Sequence, residues 1–147
     1  QSLPVKPWQA LRAKLSVQLL LTSIPALFAS ACAAIAGGLS AVETLLTLLV
    51  PQAVILMMAL LNLTVGLKMP NLTWTSEIVP IKQSASVMIG LLGGMIYGIL
   101  PFAGFLMFGH RMGANAYMAC FMAFTLAISA GLYVWLKKKG GAAFAAL

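Results

Sequence analysis

LSVQLLLTSIPALFASACAAIA, from Leu15 to Ala36, contains no charged side chain. A helix needs about 20 mostly apolar residues to cross the hydrocarbon core of a bilayer. This run is long enough, and it lacks the alternation of apolar and polar residues that marks a barrel strand. The backbone inside lipid must satisfy its own hydrogen bonds, so the run predicts a transmembrane helix. Gly37-Gly38-Leu39-Ser40 closes it. Working outward, comparable apolar runs cover about 42–66, 85–108 and 114–136. His110-Arg111-Met112-Gly113 makes a short break between the last two.

Composition agrees. Of 147 residues, 62% are hydrophobic and 7% charged, with a mean hydropathy of +1.02. A soluble domain carries roughly 25% charged residues and could not cover its surface with so few. The expected fold is all-α: a polytopic membrane protein with a bundle of four transmembrane helices and a short N-terminal amphipathic interfacial helix. The segment 1–14 stands apart from the four-span domain 15–147, whose inner loop runs over 67–84. The first run exceeds the roughly 7–15 residues of a signal-peptide core, and further spans follow it, which argues against a cleaved leader. Gln1 in place of Met suggests a piece of a longer protein or a processed product.

Four spans put both termini on one side, together with the Lys68–Ser84 loop. Lys6, Arg12, Lys14, Lys68, Lys82, Lys137, Lys138 and Lys139 fall on that side, and only Arg111 falls on the other. An excess of Lys and Arg marks the cytoplasmic face. Both termini are therefore expected in the cytoplasm. The net charge of +7 is absorbed by this asymmetry and by anionic headgroups. Nucleic acid is not an expected partner, because that would take a basic patch on a soluble module. Trp8, Tyr133 and Trp135 suit the same interface. The Asn62 and Asn71 sequons lie in a span and on the inner side, where glycosylation does not reach.

Within the spans, Gly90, Gly94 and Gly98 recur every fourth residue and form a helix-packing face. The partner helix can belong to this chain or to another. A smaller face of the same kind runs through Ala29, Ala33 and Gly37. Pro25 and Pro51 interrupt the first two spans, and Pro101 is expected to bend or break the outer end of the third. Gln18, Thr22, Ser23, Gln52, Asn62, Thr125 and Ser129 are the polar groups in lipid, most of them expected to bond between helices. No acid, Lys or Arg lies deep in a span, which argues against an ion-driven machine within this chain. Cys32 and Cys120 form no metal or disulfide spacing and read as small buried apolar residues. Glu43, Glu77 and His110 do not converge as an enzyme's groups would. No enzyme activity and no cofactor or metal are expected.

Two polar-side segments carry more information. Pro7 suits a first helical turn. Trp8, Leu11 and Leu15 then share one face, with Arg12 and Lys14 elsewhere, as in a helix lying on the membrane surface or docked to a partner. The second segment, Pro70 to Ser84, holds Trp74, Glu77 and Lys82 and reads as an interfacial loop or a contact surface.

These segments bring a family into view. Leu3-Pro4-Val5 leading to Leu11-Arg12-Ala13-Lys14-Leu15, then Asn62-Leu63 followed by Pro70, Leu72, Trp74, Thr75, Glu77, Lys82, Gln83 and Ser84, resemble the C-terminal part of type-2 ABC exporter permeases, especially large ones of Gram-positive bacteria. The close, a basic cluster followed by Gly140, Phe144 and Leu147, is similar too. Ser76 stands where the pattern has Asn, and Pro80 departs from it. The resemblance implies a permease part in the cytoplasmic membrane of a bacterium, forming some of an exporter's path. A separate ABC ATPase subunit would hydrolyse ATP and move it. Leu3, Pro4, Trp8, Leu11, Arg12 and Lys14 would belong to the coupling segment or its edge, with Pro70, Trp74, Glu77 and Lys82 as loop candidates. Further partners would be membrane lipid and the remaining permease spans or a second copy. The alternative is a non-transport four-helix scaffold or a small regulatory subunit.

Overall fold

A computed structural model describes residues 6–68 and 85–145. Helix α1 covers Pro7–Gly37, α2 Ala41–Lys68, α3 Ala85–Met112 and α4 Ala114–Trp135. A π-helical turn, Leu136–Gly140, carries α4 into a last helical turn, α5, at Gly141–Ala145. Among the described residues, four stretches are long and apolar enough to cross a membrane: Trp8–Gly37, Ala41–Lys68, Val87–Met112 and Ala114–Ala143. The chain is an all-α four-helix bundle of the membrane-spanning kind.

The turns follow from local chemistry. Gly38 takes a left-handed φ of 56° and ends α1, its N–H donating to Ile35 O. A residue without Cβ adopts that geometry at little cost. Ser40 then starts α2. Its backbone N–H and its hydroxyl both donate to Glu43 Oε2 at 2.9 Å, the acidic half of a capping box. Gly113, at φ 75°, makes the sharp turn between α3 and α4.

Three expectations change. No separate interfacial helix precedes the first span, because nothing between Lys14 and Leu15 stops the helix. Instead α1 is one rod of 31 residues, about 46 Å long at 1.5 Å per residue. Likewise α1 passes through Pro25, α2 through Pro51 and α3 through Pro101 without ending. Cys32 and Cys120 are exposed rather than buried; each faces outward from its helix, toward what would be lipid.

The hub is α2, which packs against α1, α3 and α4. Its buried stripe runs Leu46, Ala53, Met57, Leu60, Thr64 and Leu67. Those steps of seven, four and three are a heptad seam, the pattern of left-handed membrane bundles. By contrast α3 leaves Phe102, Leu106 and Met107 between 73% and 80% exposed. Such a surface has no place in water.

Among the described residues, several polar groups in the spans serve their own helix rather than a neighbour. The hydroxyls of Thr22, Thr64 and Ser129 donate to the carbonyls of Gln18, Leu60 and Thr125, since a short hydroxyl reaches the carbonyl four residues back more readily than a neighbouring helix. Bonds between helices do occur. Gln52 Nε2 donates to Ser23 O at 3.4 Å, and the hydroxyls of Tyr97 and Thr125 share a bond of 2.6 Å. Tyr117 donates to Pro101 O at 2.9 Å.

Candidate functional site at the basic end

The first turns of α1, the last turn of α2 and the π-helical turn meet at one end of the bundle. Leu11, Leu15, Ala59, Leu60, Leu67 and Leu136 form a single buried cluster there. Leu11 and Leu136 are each 1% exposed. Gly140 permits this closeness: a Cβ added to it would lie 3.2 Å from Leu136 Cδ2 and 3.4 Å from Leu11 Cδ1. Thus the apolar face of the α1 N-terminus is spent inside the chain, and is not left for a membrane surface or a partner.

Aromatic rings ring this core. Trp8 meets Tyr133 edge to face, centroids 5.9 Å apart. Lys68 Nζ stands 5.2 Å from the centre of the Trp135 ring, close enough for a cation–π attraction. Around the rim Arg12, Lys14, Lys137, Lys138 and Lys139 are exposed. The π-helical turn sets the three lysines one after another at the edge of the cluster. Such turns are rare inside α-helices and recur at functional sites.

The expected site residues divide accordingly. Trp8, Leu11, Arg12 and Lys14 sit together at this end; Leu11 is wholly internal, Trp8 half-buried, and the two cations point outward. Leu3, Pro4, Pro70, Trp74, Glu77 and Lys82 lie outside the described residues. On α3, Gly90 and Gly94 face α2. The Asn62 carboxamide occupies the place of a Cβ on Gly90, and Met58 Cε would be 3.2 Å from one on Gly94. Gly98 meets nothing within 4 Å. The glycine face therefore packs within this chain only over the half nearer the basic end. His110 is exposed on the far side, and among the described residues no three His, Cys, Asp or Glu side chains gather.

Sequence reasoning did not single out Tyr97 and Tyr117, or the joining of Leu11 to the π-helical turn. The tyrosines carried a signal, since a phenol in an apolar span needs a hydrogen-bond partner. The Leu11–Leu136 contact carried none, because its halves are too far apart in the chain for any local pattern to link them. No protein-family model, curated protein or solved structure matches this chain.

Proposed function

We propose that the chain forms part of the membrane path of an ATP-binding-cassette exporter, coupled through its basic end to a separate ATPase subunit. The observation that carries this reading is the basic rim on a shared apolar core. Arg12 and Lys137–Lys139 stand over Leu11, Leu67 and Leu136, which belong to the start of α1, the end of α2 and the turn after α4. A partner gripping that rim moves three helices together. Coupling by a subunit with its own ATPase requires such a surface, and the cations suit an acidic docking groove. In this reading the basic end faces the cytoplasm of a bacterium, and the apolar flanks of α1 and α3 meet lipid, further permease spans or a second copy.

Co-purification tests it. The full parent gene is expressed with its neighbouring ATPase and a tag on the permease, and wild type is compared with Arg12→Glu, with Lys137→Glu/Lys139→Glu and with Trp74→Ala/Glu77→Ala. The expected result is ATPase recovered with wild type and lost in at least one variant that still inserts normally. No ATPase with wild type in mild detergent would overturn the proposal and favour a non-transport scaffold or small regulatory subunit.

A further inference from the structure

At the end away from the basic rim, the bundle opens. In its inner half α3 lies on α2 through Gly90 and Gly94. Farther out it leans on α4, where Tyr97 stacks on Phe121 at 5.5 Å and Phe105 meets Tyr117 at 5.6 Å. That change of partner leaves a wedge of about 600 Å³ between α2, α3 and α4, lined by residues such as Val54, Tyr97, Gly98, Phe102 and Phe105. Its size suits a small-molecule site. Its wall exposes no polar surface, because both phenols are used up: Tyr97 on Thr125 and Tyr117 on Pro101 O.

A second hollow lies farther out along α3, on the other side of Phe105. This smaller hollow of about 160 Å³ is lined by Phe105, Leu106, Gly109 and His110, and Phe105 belongs to both spaces. Phe102, Leu106 and His110 follow one another at four-residue steps, on one strip of α3. Arg111 adds a fixed positive charge at the same level. The nearest acid in sequence at this end, Glu43, is held at the α1–α2 turn by Ser40.

Length and charge together favour one kind of occupant. From Tyr97 to His110 the strip rises about 20 Å, which matches half of a bilayer about 40–45 Å thick with its headgroups. The geometry points to a binding site for one phospholipid of the leaflet on the Arg111 side, with an acyl chain in the wedge and an anionic headgroup beside His110 and Arg111. This inference needs only the membrane-spanning fold and stands apart from the transport reading.

The test is native mass spectrometry of the purified full chain in detergent, mixed with phosphatidylglycerol or phosphatidylcholine. Gly98→Leu fills the wedge, where its Cβ finds open space; Gly93→Leu makes the same change at another open position outside the wedge lining. Wild type and Gly93→Leu are expected to keep one phosphatidylglycerol, and Gly98→Leu to retain it about tenfold less, some 1.4 kcal/mol. Arg111→Gln, which leaves the wedge intact, is expected to reduce the preference for phosphatidylglycerol over phosphatidylcholine about fivefold, as one basic residue near a membrane surface does. Equal retention by Gly98→Leu and Gly93→Leu would overturn the wedge as the site. An unchanged preference in Arg111→Gln would overturn the headgroup assignment. Disulfide cross-linking between copies through Phe102→Cys, in a chain whose exposed Cys32 and Cys120 are both replaced by Ala, would also overturn it, since a second chain would then cover the wedge.

Discussion

The two ends of this bundle are built from similar residues and behave differently. At the basic end, leucines from α1, α2 and the π-helical turn interlock around Gly140 until Leu11 and Leu136 are almost wholly enclosed. At the Arg111 end, large side chains are just as abundant, yet Phe102 is 74% exposed and a wedge separates α3 from α2. Hydrophobicity alone does not explain which end closes, because in lipid an apolar side chain gains little by leaving its solvent. What differs is shape. Glycine at the right place lets leucines seat at one end, while at the other the tyrosine bonds tie α3 to α4 and away from α2.

That contrast can be broken most strongly at the closed end. Leu11→Ala or Leu136→Ala should each cost about 2–4 kcal/mol, read from unfolding in bicelles or detergent. Because the two touch the same glycine, the double variant should cost less than the sum of the singles. A loss below about 0.5 kcal/mol for both would show that this end is no better packed than the other.

A sharper probe compares two glycines on α3. The Tyr117 hydroxyl sits where a Cβ on Gly104 would go, whereas Gly98 faces open space. Gly104→Ala should therefore displace Tyr117 from Pro101 O and destabilise by about 1–3 kcal/mol. Gly98→Ala should be neutral or slightly stabilising. Parallel thermal melts read both, and equal losses would mean that the wedge is closed in the membrane.

Smaller effects test what holds α3 against α4. Tyr97→Phe removes the bond to Thr125 and should cost about 0.6 kcal/mol, the usual worth of a hydrogen bond between membrane helices. It should also expose α3 amides near Gly98 to hydrogen exchange more than those near Gly90. At the basic end Lys68→Gln should cost only about 0.5 kcal/mol, since it removes one cation from the Trp135 ring. Trp135 fluorescence would report the change.

The four spans were legible in the sequence because length without charge has one solution in lipid. The turns were legible at Gly37-Gly38 and at Gly113, where only backbone freedom matters. Ser40 and Glu43 also spell a capping box three residues apart, a signal present in the sequence that the run-by-run reading passed over. The site was legible only in part. Charge asymmetry placed Arg12, Lys14 and Lys137–Lys139 at one end, but the apolar face of Trp8, Leu11 and Leu15 looked outward-facing because its true partner is α2 and the π-helical turn. Periodicity shows that a helix has an apolar side and does not show what covers it. For the same reason Gly98 looked equivalent to Gly90 and Gly94, although the three are treated differently by the helices around them.

The unbroken α1 has a mechanical consequence. A helix without a joint between Arg12 and Gly37 acts as a lever arm, so that a twist or tilt imposed at one membrane face arrives at the other with little lost on the way. Compliance in that lever concentrates at Pro25, whose ring removes one rung of hydrogen bonding. The stiffness of that single point therefore sets how far a displacement at Arg12 is felt at the Gly38 turn.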